Sequence, residues 1–264
     1  YVRVDEYKVP DEHSIGDGTI AYEGPGIESS KVGYRLYLDE RSVLDVFGKK
    51  TAKPVLQDVG RGDDYHSMAD WGMDILKVGE SLGAGGLGVY EDGRMRLVGP
   101  AQSLSVKVAA SSPDTAAFVV MHAGLDSAAG AFDLSTRYSM TRDSRLLTVL
   151  AKSSEQSPAL AAGLVKHPGT KLLQSETDKY GWAYIATYGP QSLAGDDLGL
   201  ALFYQRRKDT EVKDDGNTFG VVFYESKVIH YKVAAAWAAE PEGISDINAF
   251  KAYLHDTLER LNSD

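Results

Sequence analysis

The sequence predicts an all-β protein: a large antiparallel β-sandwich closed by one C-terminal helix. Three observations carry this expectation. Short segments that alternate apolar and polar residues recur along most of the chain, and a period of two is that of a half-buried strand. Turn signals such as Asp92-Gly93 and Asp143-Ser144 sit between such segments and mark hairpins. Helical spacing appears only in the tail. Many short strands with one terminal helix fit a single sandwich domain over residues 1–264, a size that all-β folds reach as one domain.

In chain order, residues 1–9 alternate and read as a first strand. Residues 10–30 are loop-like, punctuated by Pro10, Gly16, Gly18, Gly24, Pro25 and Gly26, with TIAYEG as a short strand candidate. In KVGYRLYLDER, Val32, Tyr34, Leu36 and Leu38 share one face, and Gly33, Arg35 and Tyr37 the other, as in a strand. Residues 41–47 read as a short strand or turn. Residues 56–88 read as one long loop, because their polar, aromatic and glycine residues follow no single period; long ordered loops carry function more often than packing.

LGVYEDGRMRLVG is a hairpin, SLSVKVAAS a strand, and TAAFVVMHAGL an apolar strand carrying His122. FDLSTRYSMTRDSRLLTVLAKS is a second hairpin, with Arg137 on the face opposite Leu134, Thr136 and Tyr138. LAAGLVKHPG, KYGWAYIATYG and LGLALFYQ follow as strands, DTEVKDDGN as a polar excursion, and FGVVFYESKVIHYKVAAAWAAE as the final strands. Ile247, Phe250, Leu254, Leu258 and Leu261 recur at three- and four-residue spacing, with Ser245 as N-cap, which predicts a helix over about 245–262.

Composition excludes several function classes. The chain has 264 residues, 43% hydrophobic and 25% charged, an ordinary globular balance. Its net charge is −10, which argues against nucleic acid as a partner because phosphates are repelled. It has no cysteine, so disulfides and thiolate chemistry are excluded. No apolar run is long enough for a membrane span. The abrupt start at Tyr1 reads as a processed or trimmed chain, which leaves room for a removed export signal.

Candidate chemistry falls into four sets. His66 lies in the central loop beside Arg61, Asp63, Asp64 and Tyr65; His122 lies on an apolar strand; His167 precedes Pro168 at a strand end; His230 and Tyr231 point to opposite sheet faces. Histidine suits acid–base work near neutral pH, although a strand histidine such as His122 is as readily a satisfied core residue. Arg35, Arg61, Lys77 and Arg137 are candidate anion binders, each also compatible with an ordinary surface ion pair. Trp71, Trp182 and Tyr65 offer stacking surfaces for sugars, and equally packing surfaces. Asp63, Asp64, Asp70 and Asp74 are close enough in sequence for calcium to be considered, but they lack EF-hand spacing, and the expectation is a protein with no cofactor or metal. The glycines at 83, 85, 86 and 88 open no βαβ unit, so they are not a dinucleotide cradle.

Several segments carry a resemblance: YEGPGIESSKVGYRLYLDER, DVFGKK, LQDVG, YHSMADWGMDILKVGESLGAGGLG, GLVKHPG and HYKVAAAWAAEPEGI. Together they resemble an uncharacterised-domain family of secreted or periplasmic bacterial proteins encoded in polysaccharide-utilisation loci, often for uronic-acid-rich polymers. The resemblance covers most of the chain. It implies a galactose-mutarotase-like β-sandwich, an exported location, an acidic oligosaccharide or polysaccharide as partner, and dehydratase or lyase activity on uronates.

Elimination from a uronate removes the C5 proton beside the carboxylate. It needs a cation for that carboxylate, a base, and an acid for the leaving oxygen. On this chemistry Arg61 or Arg137 is expected to neutralise the carboxylate and His66 or His122 to take the proton. Tyr65, Tyr231 or another histidine, such as His167, is expected to serve the leaving group, with Arg35, Trp71 and Lys77 binding substrate. A mutarotase or epimerase, a glycoside hydrolase with two carboxylates, and a non-catalytic carbohydrate-binding module are the competing readings.

Overall fold

The computed structural model describes residues 1–128, 130–155, 157–176 and 180–263. The first strands are β1 (Glu6–Lys8), β2 (Gly26–Glu28), β3 (Val32–Leu36), β4 (Leu44–Lys49), β5 (Gly72–Asp74) and β6 (Ala84–Glu91). Then come β7 (Arg94–Leu97), β8 (Ala101–Ser111), β9 (Thr115–Leu125), β10 (Phe132–Thr141), β11 (Leu146–Ser153) and β12 (Leu160–Val165). The last are β13 (Leu173–Gln174), β14 (Gly181–Gly189), β15 (Leu198–Arg206), β16 (Thr210–Asp214), β17 (Thr218–Phe223) and β18 (Val228–Trp237), followed by helix α1 (Ile247–Ser263). The all-β sandwich with one C-terminal helix is therefore what the chain adopts.

One layer is a nine-stranded sheet in the order β1-β8-β9-β10-β11-β18-β15-β14-β13. The other is made of two smaller sheets, β16-β17-β12-β6-β7 and β2-β3-β4-β5, joined by an isolated bridge between Leu44 and Gly83. Alternation drives the layering: Val120, Leu134, Tyr138, Val149 and Tyr231 of the large sheet meet Tyr34, Val46, Leu87 and Val221 of the small ones in one core. No helix among the described residues is long and apolar enough to cross a membrane.

Helix α1 lies on the outer face of the large sheet. Phe250 and Leu254 pack on Ala186, Ala201 and Phe203 there, and a Cβ on Gly199 would sit 2.4 Å from the Phe250 ring. The helix is capped by Asp246 rather than Ser245: the Asp246 Oδ1 accepts from the amides of Asn248 and Ala249 at 2.8 and 2.9 Å, satisfying two otherwise unpaired N–H groups.

The hairpins turn where expected, and Asp92 and Gly93 both take positive φ, 50° and 77°, as a tight hairpin turn demands. Three local expectations are corrected. TIAYEG is not a strand but contains a single 3-10 turn at Ala21–Glu23. DTEVKDDGN contains the edge strand β16, paired with β17. Residues 56–88 are not one loop, since β5 and the start of β6 lie within them. The glycines there serve close packing: a Cβ on Gly85 would come 2.1 Å from Val233 Cγ1, and the Gly85 carbonyl accepts the Tyr231 hydroxyl at 2.8 Å.

Candidate functional site

The four-stranded sheet has two unlike faces. Val32, Tyr34 and Leu36 of β3, with Leu44 and Val46 of β4, turn into the core. Arg35, Asp45, Phe47 and Lys49 turn the other way, and residues 50–71 fold over them. Register sets the pairs: Arg35 stands opposite Asp45, and Phe47 opposite Asp74. The cover is anchored by Glu28, which takes Lys49 Nζ at 2.5 Å and accepts from the amides of Val55 and Leu56. Around Phe47, Tyr22, Tyr65 and Trp71 stack edge-on with ring centres 5.6 to 6.0 Å away.

Arg35 is the hub. Its side chain is 1% exposed. Nη2 donates to Asp45 Oδ2 at 2.7 Å, Asp74 Oδ2 at 2.5 Å and Tyr37 Oη at 2.6 Å, and Nη1 donates to the Tyr22 carbonyl at 3.1 Å. The Tyr37 hydroxyl in turn donates to Asp45 Oδ2 at 2.7 Å. The carbonyl of Tyr22 is presented by a strained segment, with Tyr22 at φ 38° and Glu23 at φ 63°, a backbone region unfavourable for non-glycine residues. One buried cation thus faces two buried carboxylates, and the cluster is neutral only if it holds one more proton. Burial, with charged Asp45 alongside, pushes Asp74 up to about 8 against the pull of Arg35, so that extra proton belongs to Asp74 or to what lies above it.

What lies above it is His66. Its Nδ1 is 3.3 Å from Asp74 Oδ2, with the imidazole 58% exposed. The loop fixes this approach. The Tyr65 carbonyl accepts from the Asp74 amide at 2.8 Å, and Asp64 accepts from the His66 amide and from the Ser67 hydroxyl. Tyr65 is half-buried, its ring 4.4 Å from that of His66 and 5.4 Å from the Arg35 guanidinium carbon. Burial, outweighing the nearby Arg35, raises its hydroxyl pKa. With Nδ1 turned to Asp74, Nε2 is the ring nitrogen left for a ligand. The His66 imidazole and the Asp74 carboxyl therefore meet in the geometry of an acid–base pair.

A second cation closes one edge. Arg41 donates to both Asp39 oxygens, at 2.9 and 2.5 Å, and to Glu23 Oε1 at 3.1 Å. Its guanidinium lies 3.7 Å from the Tyr37 ring centre. His122 supports this turn from the core side. Ser42, at φ 46°, donates its hydroxyl to the Asp39 carbonyl, and His122 Nε2 lies 2.8 Å from the same hydroxyl. Which of the two donates follows from the imidazole tautomer. The Nδ1 of His122 is buried without a partner, and burial pushes the imidazole pKa down to about 4.

The residues singled out from sequence thus separate. Tyr65, His66, Arg35 and Trp71 come together, although Trp71 packs on Phe47 and Arg35 is enclosed by its own partners. Tyr231 is corrected: it is fully buried in the core with its hydroxyl on Gly85 and cannot meet a substrate. Arg137 lies, as its alternation predicts, on the opposite face of β10 from Leu134, apart from the His66–Asp74 pair. His122 is a buried neutral histidine under a turn, not an open base. His167 lies beside Lys77, apart from the cluster, and burial lowers its pKa. Arg61 is exposed and donates to the Gln57 carbonyl at 2.7 Å. Asp63 and Asp64 bind amides of their own loop and Asp74 faces Arg35, so the aspartates weighed for calcium do not converge. Among the described residues only His255, Asp256 and Glu259 gather metal-ligand atoms, in an exposed group on α1.

Asp45, Asp74, Tyr37 and Arg41 were not assigned to the site from sequence. The signal was present in the alternation of 32–36 and 44–48: antiparallel pairing of those segments sets Arg35 against Asp45. A cavity of about 590 Å³ lies beside the cluster rather than in it, between residues 1–7, residues 19–28 and strands β8 and β9, with Tyr22, Gly24, Leu38 and Arg61 among its lining.

Fold and site together define an all-β sandwich protein with a buried arginine–carboxylate frame under a solvent-open histidine–aspartate pair. The chain belongs to the family described as a domain of unknown function, DUF4861, whose model matches residues 1–264. No curated protein matches it.

Proposed function

We propose that this chain is a carbohydrate-active carbon–oxygen lyase, a dehydratase or polysaccharide lyase acting on uronic-acid-containing oligosaccharides. The observation that carries the reading is the His66–Asp74 pair: an open imidazole whose Nδ1 faces a buried carboxyl group. With Asp74 ionised and accepting from Nδ1–H, His66 Nε2 carries a lone pair and removes the C5 proton, and the electrons of that C–H bond form the C4–C5 double bond. The C4–oxygen bond breaks, and the leaving oxygen takes a proton from Tyr65. Asp74 holds the imidazole in position and stabilises its charge. Arg41, at the edge of the cluster, is the cation offered to the substrate carboxylate, which would take the place of Glu23 on its guanidinium. The adjoining cavity gives room for neighbouring sugar units. Asp45 and Asp74 are turned onto one guanidinium nitrogen, which disfavours the two-carboxylate arrangement of a glycoside hydrolase. The sequence segments quoted above support a periplasmic or secreted setting and an origin in a polysaccharide-utilisation locus.

The test is ultraviolet absorbance of the conjugated double bond while the protein is incubated with oligosaccharides bearing glucuronate, iduronate or galacturonate. Absorbance is expected to grow with the wild type. His66→Gln should slow it by roughly 10²–10⁴-fold, the usual worth of a positioned base, with the fold intact because His66 is exposed. A mutarotase built on the same pair would change optical rotation and form no double bond. Full turnover by H66Q, or no double bond from any of these substrates, overturns the proposal.

A further inference from the structure

Helix α1 covers the outer face of the large sheet over β14 and β15. Among the described residues, no helix covers the face over β8 to β11 and the adjoining part of β18. Register places Lys107, Val119, Arg137, Leu150 and His230 in one row across five strands. Beside it runs a second row, Ser105, Met121, Ser135, Lys152 and Val228. Four inter-strand steps make each row roughly 19 Å long.

Three features set this face apart. Neither row contains a carboxylate, although the chain carries a net charge of −10. Lys107 at the edge is met by Glu6 at 3.3 Å, but Arg137 and Lys152 have no carboxylate partner among the described residues. Apolar and aromatic groups lie between the cations. Met121 is 41% exposed and Val228 49%, and the half-buried Trp182 stands edge-on to His230 with ring centres 5.3 Å apart. Burial, then the positive charges of Lys232 and Arg207, lower the His230 pKa, as expected where the local potential is positive.

We propose that this face binds an extended acidic polysaccharide chain, at a site separate from the His66–Asp74 pair. Cations spaced by apolar patches suit a polymer that alternates carboxylates with the apolar faces of sugar rings. The choice of glycan rests on the reaction proposed above. It is supported here by the low density of cations, since nucleic-acid surfaces concentrate Lys and Arg along one stripe. Pairing of this face with its own copy would oppose like charges.

Native gel electrophoresis through polygalacturonate, alginate or hyaluronan tests the proposal, with dextran and single-stranded DNA as comparison polymers and light scattering as a check of mass. Wild type is expected to be retarded by at least one acidic glycan and not by dextran. Arg137→Ala with Lys152→Ala should lose most of that retardation while keeping its circular dichroism, and H66Q should keep the retardation in full. Because H66Q removes only the reaction, a failed lyase with intact retardation is distinguishable from a failed binding face. The proposal is overturned by any of four results. These are no retardation by any acidic glycan, equal retardation of the double variant, stronger retardation by DNA, or a dimer that the double variant dissociates.

Discussion

Arg35 and Arg137 occupy similar sequence settings and have opposite fates. Each sits on a strand, on the side away from the core, next to a core-facing tyrosine, Tyr34 for Arg35 and Tyr138 for Arg137. Arg35 is enclosed, with two carboxylates and a tyrosine hydroxyl on one nitrogen. Arg137 is only half-buried on the uncovered face of the large sheet. Alternation decides which face a strand residue takes; what covers that face is decided elsewhere in the chain. Over the four-stranded sheet the cover is residues 50–71, pinned by Glu28. Among the described residues, the large sheet has no equivalent beyond α1. One arginine is therefore a frame for other groups, and the other is a charge offered to solvent or a ligand.

The comparison breaks most readily at Arg35. Replacing it with Met, which has similar length and no charge, leaves Asp45 and Asp74 buried without a counter-charge. Loss of one partner from such a cluster costs about 3–5 kcal/mol, and the urea midpoint should fall accordingly. Adding Asp45→Asn to Arg35→Met should recover part of that loss, because one orphaned charge is gone. A midpoint within about 1 kcal/mol of wild type would mean that the network stabilises nothing and that Arg35 is no more structural than Arg137.

Protonation sharpens the same contrast between covered and open groups. Asp74 keeps its proton to about 8 in the folded chain against 3.8 ordinarily. Between those values the folded state holds the extra proton, so this contribution to stability is complete below about 4 and is lost as pH rises through 8. His122 works in the other direction. Folded, it stays neutral down to about 4, against 6.5 ordinarily, so its contribution is complete above 6.5 and is lost as pH falls towards 4. Glu240, raised to about 7 by burial against Arg145, has the same sign as Asp74, which makes the useful readout a difference. The stability of Asp74→Asn minus that of wild type should climb between pH 4 and 8, at no more than about 1.4 kcal/mol per pH unit. A difference that stays flat would mean that Asp74 is already ionised at pH 4 and does not hold the cluster's extra proton.

The same distinction explains what could be read from sequence. Alternation, turn dipeptides and the spacing of Phe250, Leu254 and Leu258 reveal the fold class, most strands and the helix, because those signals are local. Tyr65 and His66 were legible as site candidates because their run is polar and aromatic without periodicity. The partners Asp45 and Tyr37 were not, since the Arg35–Asp45 contact depends on register between two strands. Tyr231 was misjudged for a related reason: its burial comes from β6 approaching at Gly85, which nothing in the sequence around Tyr231 announces. The glycines at 83–88 looked like loop for want of side chains, when that want is what lets β6 lie against Val233.

The smallest effect completes the comparison. Arg137→Met should change stability by no more than about 0.5 kcal/mol, as for surface positions without caps, pairs or buried polar groups. The replaced guanidinium has no carboxylate partner among the described residues, and the methionine keeps a methylene stem between its register neighbours Val119 and Leu150. Urea denaturation of Arg137→Met beside Arg35→Met therefore uses one substitution to measure two environments. A loss at Arg137 as large as that at Arg35 would reveal that the outer face is covered in solution, by a partner copy or by the chain's own residues, and would remove the basis for treating it as an open charged surface.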